Sequence, residues 1–179
     1  MRLTRMAALF LTLAVPCTAY AQRTKKPTSQ PRTSANSFEQ YPVPIYEGSP
    51  AKPNFQSKPG SLRFRTQIRD GIRQGVNFAG HYAIVTFGCG TGCSFGFLVD
   101  VKSGRIFGFP LGGEKNHSLS LDYLPNSKLM KARWIESMDE NGRTFDPPKN
   151  NCVRQEFVLN GNAFKLVHQT KTLGEECYR

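Results

Sequence analysis

The side chains with the greatest capacity for chemistry are concentrated in one stretch of the chain, Asn77-Phe78-Ala79-Gly80-His81-Tyr82 followed by Phe87-Gly88-Cys89-Gly90-Thr91-Gly92-Cys93. A thiol beside an imidazole can act as a nucleophile with its base, and Cys89 or Cys93 with His81 supplies the residue types of a cysteine hydrolase. The same cysteines with His81 or His117 offer soft ligands to a metal, although their spacing is not a standard zinc pattern. As a redox dithiol, C-x-x-x-C lacks both the usual C-x-x-C spacing and a thioredoxin-like βαβ setting. The glycines of Gly88-Cys89-Gly90-Thr91-Gly92 suit a phosphate-cradling loop, but the stretch lacks the Gly-Lys-Ser/Thr ending and leads into a strand instead of a helix.

The address of the chain weighs against reduced thiols. Arg2 and Arg5 precede an apolar run from Met6 to Val15, and Ala19-Tyr20-Ala21 ends it with small residues. These are the three parts of a cleavable secretory signal, with the cut expected between Ala21 and Gln22. The apolar run is well short of the roughly 20 residues that span a hydrocarbon core. Cys17 follows Pro16, where a lipobox wants a small residue, so it is expected to leave with the signal. The protein is therefore expected in the periplasm or outside the cell.

In an oxidising compartment the remaining Cys89, Cys93, Cys152 and Cys177 are expected to form two disulfides. The short Cys89-to-Cys93 spacing, with Gly90 and Gly92 able to take positive φ, favours Cys89–Cys93 with Cys152–Cys177. Cysteines so paired serve structure, and neither a metal nor another cofactor is expected. His81 shares a strand face with Ala83, Val85 and Phe87, and His168 shares one with Phe164 and Leu166, which suits half-buried, hydrogen-bonded histidines.

The motif quoted above, together with Val99-Asp100-Val101-Lys102-Ser103-Gly104 after it, resembles a group of exported bacterial proteins, largely uncharacterised, that share a helix, an "NFAGHY" strand start, a "GCGTGC" turn and a "VD" plus Gly hairpin. The resemblance covers roughly residues 60 to 136. It implies an exported soluble protein and carries no reaction with it.

Charge offers a second line of argument. The formal net charge is +11, or about +9 without Arg2 and Arg5, which suits an acidic partner. Nucleic acid is excluded by the address, leaving an acidic protein or an anionic envelope polymer. Arg65, Arg69 and Arg73 fall at i, i+4 and i+8 beside the apolar stripe of Phe64, Ile68 and Ile72. Like charges at that spacing destabilise an isolated helix, and only Asp70 is near to relieve them. The candidate binding residues are therefore Arg65, Arg69, Arg73 and His81.

These residues must be positioned by a β-rich domain. Residues 1–21 are read as the signal peptide, 22–40 as a flexible basic tail poor in large apolar side chains, and 41–179 as a single disulfide-stabilised domain. Prolines 42, 44, 50, 53 and 59 keep the stretch from Tyr41 to Gly60 extended, with Tyr41, Val43, Ile45, Tyr46 and Phe55 packing it down. Ser61 to Gly75 reads as a helix with Ser61 as N-cap and Gly75 at C′.

Strands follow at His81 to Phe87, expected to be central because both faces are apolar, then at Phe95 to Val101 and at Arg105 to Phe109 beyond the Lys102-Ser103-Gly104 turn. Further strands are expected at Leu129 to Glu136, Cys152 to Leu159 and Ala163 to Thr170, with Asp139 to Asn151 as a long exposed connection. The fold class is α+β, mostly β, an antiparallel meander of about five or six strands with one N-terminal helix packed on it. The reading that follows is a monomeric, non-catalytic exported binding protein, for which an inhibitor or immunity role is the expectation. The alternative, an envelope hydrolase acting on peptidoglycan or polysaccharide, requires His81 and carboxylates such as Asp100 or Asp122 to meet in one cleft. Asp139-Glu140 has no partner at catalytic spacing.

Overall fold

The computed structural model describes residues 36–136 and 151–178. The expected signal peptide, residues 22–35 of the expected tail, and residues 137–150, which hold Asp139 and Glu140 and most of the expected connection, lie outside them.

The helix begins later than the sequence suggests. Pro59–Phe64 winds as a 3-10 helix and only Arg65–Arg73 (α1) is α-helical. Ser61 does not cap it. Its hydroxyl turns back to donate to the Lys58 carbonyl at 2.7 Å, a local bond that Pro59 favours by setting φ for a tight turn. The other end is as expected, with Gly75 at φ +88 and its N–H bonded to the Ile72 carbonyl. Ile68 and Ile72, one turn apart, are buried against the first sheet.

That sheet has the order β1 (Tyr82–Gly90), β2 (Cys93–Asp100), β3 (Ile106–Gly108), all antiparallel. Ala83, Val85, Phe97 and Val99 face α1. Tyr82, Ile84 and Leu98 face the opposite way, into a second core shared with the other sheet. Strand β1 was expected to be central, yet it stands at the sheet edge. Its two apolar faces are covered by layers above and below, and a period-two pattern senses layers but not lateral neighbours.

The second sheet is β4 (His117–Tyr123), β5 (Leu129–Glu136), β6 (Asn151–Asn160) and β7 (Ala163–Leu173), antiparallel and in chain order. Met130, Ala132, Trp134, Val153, Phe157 and Leu159 pack its inner face on the first sheet. The protein is thus α+β and mostly β, built as helix, three-stranded sheet and four-stranded sheet, with seven strands among the described residues. Strand β4 is the element not anticipated, although Ser118-Leu119-Ser120-Leu121-Asp122-Tyr123 alternates strictly and its apolar members pack on the core.

Both disulfides are present with the expected pairing, at Cα separations of 5.1 Å for Cys89–Cys93 and 5.3 Å for Cys152–Cys177. The tail boundary at residue 40 moves earlier. Phe38–Gln40 forms a 3-10 turn docked on the second sheet, where the Phe38 carbonyl accepts from the Ser127 hydroxyl at 2.8 Å. From Tyr41 onward the proline-rich segment is held by scattered backbone bonds, including Ala51 N–H to the Val101 carbonyl at 2.9 Å and Asn54 N–H to the Gly104 carbonyl at 2.8 Å. Tyr41, Val43, Tyr46 and Phe55 are half-buried as expected, but Ile45 is 46% exposed. Pro44 fixes the backbone just before Ile45, and Val43 and Tyr46 take the inward positions.

Candidate functional site

The Asn77-to-Tyr82 motif is spent on scaffold. The Asn77 amide closes a loop on β1, accepting from the Ile84 N–H at 2.8 Å and donating to the Ile84 carbonyl at 3.0 Å. Phe78 is wholly buried between Tyr123 and Phe164. The Tyr82 hydroxyl, reaching across to the second sheet, donates to the Gly161 carbonyl at 3.0 Å. Burial pushes that phenol's pKa up, with Asp100 adding to the effect and Arg105 opposing it.

His81 lies just before β1, half-buried, with its ring centroid 4.3 Å from that of Tyr82 and no side-chain hydrogen bond among the described residues. The expectation of a hydrogen-bonded histidine is therefore corrected: the imidazole packs against the Tyr82 ring in a tilted contact, the planes 34° apart. His168 also departs from expectation. A bulge at Glu156/Phe157 leaves Val167 without a partner, so His168 pairs with Glu156 while Leu166 pairs with Phe157. One extra residue moves His168 off the face of Leu166.

The chemistry once open to the cysteines is closed by their bonding, since a disulfide leaves neither a thiolate nucleophile nor a soft ligand. The Cys89–Cys93 bridge sits at the tip of the β1–β2 hairpin, and the His117 ring lies directly on the Gly92 backbone beside it, 2.1 Å from where a Cβ would stand. Among the described residues, no three of His, Cys, Asp and Glu gather as a metal site. Asp100 is committed to its own turn, accepting from the Lys102 N–H at 2.9 Å and the Ser103 hydroxyl at 2.6 Å. Asp122 is on β4, exposed and opposite Lys131. It lines a hollow with Phe38, Tyr123 and Lys131 that includes neither His81 nor Asp100.

The arginine stripe divides. Arg65, the first residue of α1, is not part of the groove of about 660 Å³ between α1 and the segment 50–55, which Arg69 and Arg73 line. The opposite wall brings Lys52, Pro53 and Phe55. The Arg69 guanidinium lies 5.8 Å from the Phe55 ring centroid, a cation–π contact that orients it and leaves its N–H edge free. Arg73 pairs with Asp70 in an exposed contact, the class of ion pair worth the least. Three cations and one carboxylate thus share an open groove with one aromatic ring on its wall. His81 does not line it.

Lys52 and Phe55 are the members that sequence reasoning missed. The prolines around them announced an extended segment lying on the domain, but not which surface it would meet.

Comparison with protein-family models, with curated proteins and with solved structures finds no match.

Proposed function

We propose that this chain is an exported, non-catalytic binding protein whose groove between α1 and residues 50–55 receives an anionic partner, an acidic protein or an envelope polymer, in an inhibitor-type or immunity-type role. The observation that carries the reading is the meeting of Lys52 with Arg69 and Arg73 around the Phe55 ring. Long cationic side chains in a concave apolar setting focus potential and raise the local concentration of an anion. The signal-like N-terminus, the two disulfides and the resemblance to exported bacterial proteins support the location.

The test is retention on immobilised poly-glutamate and on isolated envelope polymer at low ionic strength, where screening is weak. Replacing Lys52, Arg69 and Arg73 together by Gln should weaken retention by about tenfold or more, while the melting temperature stays within about 2 °C, since exposed charges contribute little to stability. Arg65→Gln should change little. Unaltered retention by the triple variant would reject the groove as the binding surface.

A further inference from the structure

The second sheet has an outer face turned away from the core. On β5 it carries Leu129, Lys131, Arg133 and Ile135, and on β6 Cys152, Arg154, Glu156 and Val158, each alternating with the core residues. Both ends of this face are strapped. The Cys152–Cys177 disulfide folds the turn Gly174–Cys177 over Ile135. At the other end Asn36 covers Lys131 and Glu156, donating to the Glu156 carboxylate at 2.7 Å and accepting from the Lys131 ammonium at 2.7 Å.

Between the straps runs one row across all four strands, Ser120, Arg133, Arg154 and Thr170, each opposite the next in register. Two arginines face each other directly and both are half-buried. Like charges opposed across a ladder cost stability. Arg154 donates to neutral acceptors, the Thr172 hydroxyl and the Glu176 backbone carbonyl. Arg133 has no hydrogen-bond or ion-pair partner among the described residues. Two carboxylates stand in the neighbouring row: Glu156, only 4% exposed and already engaged by Asn36 and Lys131, and Asp122, exposed and opposite Lys131.

We infer that the Arg133–Arg154 row is a phosphate-binding site, distinct from the groove at α1 and independent of it. A guanidinium is a planar fork of donors, and a single fork satisfies both oxygens of a carboxylate. Two facing forks call for an anion with more acceptor oxygens and more charge, which a phosphate group provides. Ser120 and Thr170 place hydroxyl donors at either end of the row. The phosphate can be free or an ester on an envelope polymer or lipid, so inorganic phosphate and glycerol phosphate are both probes.

Calorimetric titration and thermal melting at constant ionic strength decide it, with acetate as the carboxylate control. Wild-type protein should bind inorganic phosphate and glycerol phosphate at least tenfold more tightly than acetate. Arg133→Gln should weaken phosphate at least tenfold, and in phosphate-free buffer it should melt no lower than wild type, since it removes a repulsion and no internal bond. Arg133→Lys should fall between. Phosphate binding by Arg133→Gln within twofold of wild type overturns the assignment, as does equal affinity for acetate. A lower phosphate-free melting point overturns it too, because Arg133 would then be held within the chain. The groove variant lacking Lys52, Arg69 and Arg73 should bind phosphate normally, so this site and the groove stand or fall separately.

Discussion

The two disulfides should differ sharply in their worth, and the difference can be worked from their loops. Cys152 and Cys177 are separated by 25 positions, Cys89 and Cys93 by 4. In the chain-entropy account the longer loop removes roughly 3.5 kcal/mol of unfolded-state freedom at room temperature, while extrapolation to the shorter one yields under about 2 kcal/mol. Native contacts widen the gap. Cys152 is fully buried and Cys177 is 9% exposed, whereas the Cys89–Cys93 tip is already held by the register pairs Phe87↔Phe95 and Gly88↔Ser94. For a domain of this size about 3.5 kcal/mol corresponds to a melting-point drop of roughly 10 °C. Alanine is the appropriate replacement, because serine at position 152 would bury a hydroxyl. Scanning calorimetry of Cys152→Ala with Cys177→Ala, beside Cys89→Ala with Cys93→Ala, makes the comparison. An equal or larger loss from the Cys89/Cys93 variant would refute the reasoning.

Two further outcomes follow from packing and titration. Gly104 has φ +76, and a Cβ there would stand 2.1 Å from the Lys52 carbonyl oxygen. Gly104→Ala should cost at least about 2 kcal/mol in denaturant melts and, by displacing Lys52, weaken polyanion retention without altering any charge. Gly75→Ala, at φ +88 in open space, should cost about 1 kcal/mol and leave retention intact. Burial raises the phenol pKa of Tyr82 and of Tyr123 above the ordinary value of 10.0. The unfolded phenols then ionise first as pH rises, so this stability is complete below about pH 10 and is lost as pH climbs through the folded values. Denaturant midpoints between about pH 9 and pH 11 should fall, less steeply in Tyr123→Phe; a flat profile in wild type would contradict the shifts.

The fold was legible where local pattern and layer agree. Strands β5, β6 and β7 fall close to their expected bounds because alternation, the Asn160-Gly161-Asn162 turn and the half-buried face all say the same thing. Strand β4 carries a clear alternation, but it follows the Gly112-Gly113 loop, whose turn chemistry runs up to its start. What pattern cannot supply is the neighbour. The edge position of β1 and the division into two sheets are lateral facts, and both apolar faces of β1 would read the same in the centre of one sheet or at the edge of another. The bulge that turns His168 to the outer face is invisible for a related reason: the extra residue is defined only against the partner strand.

The candidate sites were legible in proportion to how local they are. The arginine stripe on α1 depends on helical period alone, and two of its three members do line the groove. Lys52 joins them through backbone bonds from residues 51 and 54 to the β2–β3 hairpin, contacts between segments about fifty residues apart that no spacing rule encodes. The Arg133–Arg154 row is harder still. Alternation assigns each arginine to a strand face, yet their opposition depends on the β5–β6 register, and shifting that register by one residue would set Arg133 against Val153 or Gln155. Register is held here by the burial of Trp134 opposite Val153 and of Met130 opposite Phe157, so the hydrophobic pairs on one face are what align the charges on the other. A substitution that loosens the inner face, such as Val153→Ala, should therefore disturb the arginine row even though it touches neither guanidinium.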